Sequence, residues 1–462
     1  MTEEQEAPQP GLTDDARAAF AARLTRILGP SQTLTGPAAA TYAPRGAPPS
    51  VVARPSNVEA ARAAVSLAFE AGAAIAPWGS GSRQALGYPP ERCDLVLSLE
   101  RLTRVVAYDP ADLTITVEAG MTHEALSTQL NANRQMLPLD PPLPARATIG
   151  GTLATAIGGL RGALYGEPRD LVLGARVIDV SGEMVRAGGA VVKNSTGYNM
   201  RRLYTGSLGA FGVITEASFK LAPMPETEET VIAACSTSQQ VWEVVAHAAQ
   251  LATRPAAIAA MLPSALPELA RLGSYREGDA LVSVRLPGEG AVVARARTAL
   301  ETTLRGVGAE RLMTLDTAAT AAFWASVNDF AALRAAPREA LARVSTLPSE
   351  TMPAHDLAFR LTSERGLTLH WLADLQAGTL WLRFSDHGAT LPGDAFAAAL
   401  RTTLAGVARR WPQVVLLACA PAYAVDIPVW GDAPETLSLM REIKRQFDPM
   451  RLLNPGRLAG RL

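Results

Sequence analysis

The sequence predicts an α+β fold in two parts, and three observations lead to this prediction. A short apolar strand, an amphipathic helix and a second apolar strand follow one another over residues 51–77, the pattern of a β-α-β unit. Strand-like and helical segments alternate again after residue 230. Between the two series lies the Pro-rich stretch APMPETEE, which is typical of a boundary. A chain of 462 residues also exceeds what one compact core usually holds.

Caps, turns and periodicity predict the elements of the first part in chain order. Thr13 and the two aspartates after it start a helix that runs to about residue 28. A helix beginning after Ser56, its predicted cap, ends at Gly72. Two hairpins follow, the first with strands VVAYDP and LTITVEAG, the second folded at Ser181-Gly182.

The second part is predicted to form a sheet with helices packed on it. Its strand-like segments are VIAACS, AAIAAM, LVSVRL, RLMTLD, LARVSTLP, LTLHWLA, TLWLRFS and VVLLACA. Helices are predicted after residue 238, through residue 302, and over 355–366, 394–410 and 434–447.

Charge and cysteine content exclude several classes of function. The 43 basic and 44 acidic residues are interspersed, so the chain has no basic surface for nucleic acid or an anionic membrane. The three cysteines lack metal or disulfide spacing. The polar, acidic N-terminus does not resemble a secretory leader, and no apolar run spans a bilayer. We therefore expect a cytoplasmic protein without direct membrane insertion, with any membrane association made through partners.

Two glycine clusters suggest an anion site. Gly79-Ser80-Gly81-Ser82 follows a strand, and Gly150-Gly151-Thr152 precedes a helix-like segment, so backbone N–H groups can approach a diphosphate closely. Either cluster taken alone is equally explained by an ordinary tight turn. Neither matches the dinucleotide fingerprint, because Gln84 stands where its third glycine would be, and neither contains the lysine of a nucleotide-binding P-loop.

Four stretches in this order resemble the FAD-binding domain of the vanillyl-alcohol-oxidase/PCMH superfamily: WGSGSRQALG, LPLDPPLPARATIGGTLATAIGG, YGEPRDLVLGARVIDVSGEMVRAGG and VVKNSTGYNMRRLYTGSLGAFGVITEASFKL. The C-terminal FDPMRLLNPGRL is similar to the closing signature of the same FAD-linked oxidases. The resemblance implies a two-subdomain PCMH-type FAD-binding domain over 47–223, after an N-terminal helix and linker over 1–46. It also implies an α+β cap domain over 224–440, an antiparallel sheet covered by helices, and a C-terminal segment over 441–462 that returns to the flavin.

Within the superfamily, the sequence most resembles the FAD-binding E subunit of bacterial glycolate oxidase. The stretch LPLDPP, a strand-turn-strand ending in GG, and VVKN-x-x-GY occur together in both. The catalytic D subunit and other 2-hydroxy-acid dehydrogenases also carry a His-rich metal motif in the cap. Here His370 stands in that region without a second histidine at ligand spacing, which favours the E type and predicts no metal.

The resemblance implies that FAD is bound without a covalent bond, because Arg83 and no histidine stands in the first glycine loop. The loops at 79–83 and 149–152 would hold the diphosphate, Val213 and Ile214 would meet the adenine, and Asp140 would fix a turn beside the cofactor. The implied cofactor-binding residues are Pro77, Trp78, Gly79, Ser80, Gly81, Ser82, Arg83, Asp140, Pro141, Thr148, Ile149, Gly150, Gly151, Thr152, Ala154, Thr155, Gly158, Lys193, Gly197, Tyr198, Gly212, Val213, Ile214, Asn454 and Arg457.

Asn454 and Arg457 would lie near the isoalloxazine, where a cation stabilises the reduced flavin. Lys193 is a second candidate, since lysine occurs only at positions 193, 220 and 444; a surface or structural role is the alternative. Tyr198 would stack or hydrogen-bond near the flavin, with packing as the alternative. For the substrate, His370 is the candidate base and Arg343 the candidate partner of a carboxylate.

The function implied is an FAD-dependent oxidoreductase that oxidises a small 2-hydroxy acid, such as glycolate or D-lactate, by hydride transfer to the flavin. Electrons would pass to a partner in a complex with a related flavoprotein subunit and an iron–sulfur subunit. One alternative is a non-catalytic FAD-binding subunit for electron transfer or assembly. Another is a single-chain FAD oxidase of a different alcohol, which the long cap favours.

Overall fold

The computed structural model describes residues 11–189, 199–265, 275–276, 278–306, 309, 311–333, 337–386, 391–425 and 427–462. The helices are α1 (Asp14–Leu28), α2 (Gly36–Ala40), α3 (Val58–Ala71), α4 (His123–Asn131), α5 (Ile149–Thr155), α6 (Gly162–Tyr165), α7 (Pro168–Leu171), α8 (Met200–Tyr204), α9 (Ser238–Ala249), α10 (Gly290–Gly306), α11 (Thr317–Asp329), α12 (Thr351–Ser363), α13 (Gly393–Ala408) and α14 (Leu437–Phe447). The strands of the first part are β1 (Thr33–Thr35), β2 (Val51–Ala53), β3 (Ile75–Trp78), β4 (Leu95–Ser98), β5 (Val105–Asp109), β6 (Thr114–Glu118), β7 (Gln135–Met136), β8 (Val172–Ile178), β9 (Met184–Gly188), β10 (Val213–Lys220) and β11 (Ala222–Pro223). Those of the second part are β12 (Thr227–Cys235), β13 (Ala257–Met261), β14 (Ala280–Gly288), β15 (Leu312–Leu315), β16 (Glu339–Ser345), β17 (Thr368–Asp374), β18 (Thr379–Ser385) and β19 (Val414–Cys419).

The first part contains two main sheets. One has the order β1-β2-β4-β3, in which β2 and β3 both run parallel to β4. The predicted β-α-β unit is thus confirmed, although β4 lies between its two strands. The other sheet is antiparallel, has the order β5-β6-β10-β8-β9, and contains both predicted hairpins.

Local capping fixes the helices around these sheets. The Thr13 hydroxyl accepts the Ala16 N–H at 3.3 Å and begins α1, as predicted. Asn57, one residue after the predicted Ser56, caps α3, because its Oδ1 accepts the Ala60 N–H at 2.9 Å. Gly72 ends α3 with φ 67°, a left-handed conformation that favours glycine, which confirms the prediction.

The second part is built on an antiparallel sheet of order β15-β12-β14-β13-β17-β18-β16-β19, which we call the cap sheet. One face packs with α9, α10, α12 and α13 through side chains such as Val282, Leu382 and Phe384. The other face shares a core with the first part through alternate side chains such as Leu341 and Leu372. The predicted antiparallel sheet covered by helices is confirmed, and its second face is the one that meets the first part.

The C-terminal segment returns to the first part of the chain. The Ile75 N–H donates to the Leu452 carbonyl at 2.7 Å, and the Asn454 N–H donates to the Ile75 carbonyl at 2.8 Å. The segment therefore runs beside β3, at the strand from which the first glycine loop leaves. Among the described helices, none combines the length and apolar character needed to cross a membrane.

Candidate functional site

A cavity of about 700 Å³ lies among the two glycine clusters, the start of β10 and the C-terminal segment. The predicted residues that line it are Pro77, Trp78, Gly79, Ser80, Gly81, Ser82, Arg83, Thr148, Gly150, Gly151, Ala154, Thr155, Val213, Ile214, Asn454 and Arg457. The structure therefore gathers residues from four separate parts of the sequence around one space.

The first glycine loop turns tightly at the end of β3. Gly81 has φ 77°, and a Cβ at this position would lie 2.4 Å from the Trp78 ring. Glycine is therefore required here for both conformation and space. The Ser80 hydroxyl donates to the Arg146 carbonyl, which ties the loop to the segment before α5.

The second glycine cluster lies inside a helix and not before one, which corrects the prediction. Thr148 caps α5, because its Oγ1 accepts the Gly151 N–H at 3.2 Å, so Gly150 and Gly151 belong to the first turn. Space for a side chain is still lacking here: a Cβ at Gly150 would lie 2.8 Å from the Ala119 Cβ and 3.1 Å from the Ala119 carbonyl oxygen.

Arg83 is a buried cation on the cavity wall. Its Nε, Nη1 and Nη2 atoms are buried, and none has a hydrogen-bond partner among the described residues. Burial lowers the pKa of Arg83 to about 10. Burial lowers the pKa of the neighbouring His123 to about 3, so its ring is neutral, and its Nε2 is bonded to Thr152 Oγ1 at 2.9 Å. An uncompensated buried charge is costly, so Arg83 fits a site that takes an anionic group.

The C-terminal wall also carries buried polar groups. Asn454 donates its amide to the Leu208 carbonyl, while its buried Oδ1 has no partner among the described residues. Arg457 donates to Gln84 Oε1 at 2.6 Å and to the carbonyls of Gln84 at 2.8 Å and Leu86 at 2.6 Å. The guanidinium of Arg457 thus ties the C-terminal segment to the first loop, whereas that of Arg83 has no hydrogen-bond partner in the described part of the chain.

Some predicted cofactor residues lie elsewhere. Gly212 packs on β8, where a Cβ would lie 2.4 Å from Val177 Cγ1, and Gly158 packs against Pro168. Predicted residues that do not line the cavity are Asp140, Pro141, Ile149, Thr152, Gly158 and Gly212, while Lys193, Gly197 and Tyr198 lie outside the described residues. Wall residues that the sequence did not single out are Gln84, Leu99, Ala119 and Leu208.

Asp140 joins the first part of the chain to the cap. Its Oδ2 accepts from Arg285 Nη1 at 3.0 Å and Asn328 Nδ2 at 3.0 Å, and its Oδ1 accepts the Arg161 N–H at 3.2 Å. Arg285 and Arg161 also bind Glu228 Oε2, at 2.8 and 2.9 Å. Asp140 therefore fixes its turn through an ion-pair network with the cap and not through the cavity.

The two predicted substrate residues lie on the face of the cap sheet that meets the first part. Arg343 on β16 is opposite Trp381 on β18, which is opposite Leu372 on β17. His370 is two residues before Leu372 and therefore points to the same face. The Nε of Arg343 is buried without a hydrogen-bond partner among the described residues, and burial lowers the pKa of Arg343.

The sequence predicts that the cap holds no metal ion. In the part of the chain that the structure describes, no group of three His, Cys, Asp or Glu side chains is placed to hold a metal ion.

Two protein families match parts of the chain. The FAD binding domain family matches residues 49–188, and the family of C-terminal domains of FAD linked oxidases matches residues 431–458. The D-2-hydroxyglutarate dehydrogenase of Xanthomonas citri pv. viticola is 28% identical over 89% of each chain. The glycolate oxidase subunit GlcD of Bacillus subtilis is 35% identical over 40% of this chain and 39% of its own, and GlcE of Escherichia coli is 37% identical over 36% and 47%. The matches to both glycolate oxidase subunits thus span less than half of those proteins.

A solved structure of p-cresol methylhydroxylase with bound substrate has the same fold. It superposes with a TM-score of 0.75, covers 97% of this chain and 98% of its own, and is 16% identical in sequence. The PCMH-type fold predicted from the glycine clusters and the C-terminal signature is therefore confirmed.

Proposed function

We propose that this chain is an FAD-linked oxidoreductase with a PCMH-type FAD-binding domain, and that it oxidises a small 2-hydroxy acid such as glycolate or D-lactate. In this arrangement, residues 47–223 bind FAD, residues 224–440 form the cap over the substrate, and residues 441–462 complete the flavin site. The observation that carries the choice of substrate is the position of Arg343 on the cap face that meets the FAD-binding domain. Its buried Nε has no hydrogen-bond partner within the described ranges.

The residues of the cavity suit FAD. The first glycine loop, on the cavity wall, offers its backbone to a diphosphate, and the charge of Arg83 balances the diphosphate. The N–H groups of Gly150 and Gly151 donate within the protein, so this turn contributes a close wall without side chains. Val213 and Ile214 offer an apolar wall to the adenine, and the buried Oδ1 of Asn454 can accept a hydrogen bond from the ring system. No histidine stands in the first loop, so the cofactor is held without a covalent bond. When bound, FAD supplies the acceptor for a hydride.

The cap residues bind and orient the substrate. Arg343 receives the carboxylate in a bidentate pair, which fixes the acid in one orientation. His370, on the same face of the sheet, accepts the proton of the α-hydroxyl group as the hydride leaves the α-carbon. The apolar side chains Leu372 and Trp381 between these residues limit the access of water.

Electrons then pass to a partner subunit. The similarity to the glycolate oxidase subunits GlcD and GlcE supports a complex with a related flavoprotein and an iron–sulfur subunit. The three cysteines of this chain are far apart in the sequence and are placed as free thiols. An iron–sulfur cluster would therefore belong to the partner.

The proposal is tested on the purified chain. We expect a flavin absorbance spectrum, release of intact FAD by acid, and bleaching of the flavin by one of glycolate, D-lactate and L-lactate under anaerobic conditions. A preparation without flavin would contradict cofactor binding. A bound flavin that none of the acids reduces would contradict the proposed reaction.

Replacing Arg343 with glutamine is expected to weaken binding of the acid substrate about 10- to 100-fold, since a hydrogen-bonded charge pair is lost. The dissociation constant is measured from the change in flavin absorbance. Arg360→Gln, at an exposed position on α12, is the matched control and should leave binding unchanged. Equal affinity in Arg343→Gln and the parent would remove Arg343 from the substrate site.

A second candidate is a subunit that binds FAD without oxidising a substrate itself. The lack of a metal-binding group among the described residues and the similarity to GlcE favour it. It predicts a bound flavin that the acids reduce only when a related flavoprotein subunit is added. Co-purification with such a subunit, followed by the same anaerobic titration, separates the two candidates.

A further inference from the structure

We propose that Arg83 makes the stability of this protein depend on its cofactor: the buried charge of Arg83 destabilises the FAD-free form and strengthens the binding of FAD. The inference rests on the FAD site of the proposed function and concerns what that site does to the fold. It predicts that one neutral substitution raises the stability of the FAD-free form and weakens cofactor binding.

The side chain of Arg83 lies between the two glycine clusters. Arg83 lines the cavity at the end of the first glycine loop, and a Cβ at Gly151 would lie 4.0 Å from the Arg83 Cδ. The residue is 9% exposed, and all three of its guanidinium nitrogens are buried. Solvent in the cavity therefore has little access to this charge.

The wall of the cavity is positively charged. Its charged residues are Arg83 and Arg457, and no aspartate or glutamate lines the cavity in the part of the chain that the structure describes. Arg457 donates to three neutral acceptors, Gln84 Oε1 and the carbonyls of Gln84 and Leu86. The nitrogens of Arg83 have no acceptor among the described residues. Of these two cations, Arg83 therefore carries the larger cost of burial.

Loss of a proton does not relieve this cost at neutral pH. Burial lowers the pKa of Arg83 to about 10, which leaves its guanidinium protonated. A buried charge without hydrogen bonds keeps its desolvation penalty. The FAD-free form carries this penalty until a negative charge is placed nearby.

FAD supplies that negative charge. Its diphosphate has one negative charge on each phosphate group, and the cavity wall has two cations to match them. The nitrogens of Arg83 are covered by protein, so their attraction to the diphosphate acts through the interior, where charges are weakly screened. Part of the binding free energy of FAD is therefore the removal of a cost that the folded protein otherwise carries.

Arg83→Met, which keeps a long side chain and removes its charge, is expected to change stability and binding in opposite directions. The midpoint of thermal unfolding of the FAD-free chain should rise by at least about 2 °C. The dissociation constant of FAD, measured by flavin fluorescence, should rise at least about tenfold. Arg26→Met, the same substitution at an exposed position on α1, is the matched control and should change neither quantity.

Lower stability of FAD-free Arg83→Met, including failure to fold, would show that Arg83 has only a structural role and would overturn the inference. An unchanged dissociation constant of FAD would overturn it as well. ADP, which contains a diphosphate without the flavin, gives a second measurement: it should raise the unfolding midpoint of the FAD-free parent more than that of Arg83→Met. Equal shifts would exclude the diphosphate as the charge that Arg83 meets. A bound FAD that no acid reduces would contradict the proposed reaction and leave these measurements intact.

Discussion

Gly151→Val is expected to give a folded protein that purifies without FAD. Gly151 lies in the first turn of α5 on the cavity wall, and its N–H donates to the capping Thr148. A Cβ at Gly151 would lie 2.9 Å from Thr148 Oγ1, so a branched side chain displaces the cap or enters the cavity. Either outcome removes the close backbone approach that a diphosphate needs.

The measurement is the ratio of flavin to protein absorbance after purification, with circular dichroism to confirm the fold. Gly306→Val is the matched control, because Gly306 is exposed at the end of α10 and a Cβ there would meet nothing within 4 Å. It should retain FAD like the parent. Full retention of FAD in Gly151→Val would exclude this turn from the cofactor site.

Local patterns predicted the walls of the cavity well. The first signal is a Gly-Ser cluster directly after a strand, and the second is a Gly pair next to a helix. Both signals consist of residues that are neighbours in the sequence, so they could be detected there, and both clusters line the cavity. The hairpin at Ser181-Gly182 was predictable for the same reason, because the residue types of the turn themselves indicate a tight connection between two strands. Apolar wall residues such as Leu99 and Ala119 carry no such pattern and look like any core residue.

Contacts between the first part of the chain and the cap were not predictable from local patterns. Asp140 looked like a turn residue near the cofactor, yet its partners Arg285 and Asn328 come from the cap, far along the sequence. The guanidinium of Arg83 is buried without a hydrogen-bond partner among the described residues. This burial depends on the residues packed around it, and no local sequence pattern identifies them. Lysine is scarce in this chain, and among the described lysines Lys444 is buried and bonded to Asp448, while Lys193 lies outside the described residues.

Asp448→Ala is expected to lower the free energy of unfolding by about 3–5 kcal/mol, because it leaves the buried ammonium of Lys444 without its counter-ion. Lys444 Nζ donates to Asp448 Oδ2 at 2.7 Å and to the carbonyls of Ala210 and Leu453 at 2.8 and 2.9 Å. Burial already lowers the pKa of Lys444, which shows how strongly this position disfavours an uncompensated charge. The Leu452 and Leu453 N–H groups would also lose the carboxylate that accepts them, at 2.9 and 2.7 Å.

Asp448→Ala should also weaken cofactor binding. The hydrogen bonds of Asp448 and Lys444 hold the C-terminal segment, and this segment places Asn454 and Arg457 on the cavity wall. We therefore expect weaker FAD retention together with lower stability, measured by denaturant unfolding of the apo and FAD-loaded forms. Glu442→Ala on the same helix is the matched control: its partner Arg445 is 3.6 Å away and both side chains are exposed, so the loss should be about 0.5 kcal/mol or less. A loss below about 1 kcal/mol in Asp448→Ala would show that water or another acceptor reaches Lys444, and that the C-terminal segment is held mainly by its apolar contacts.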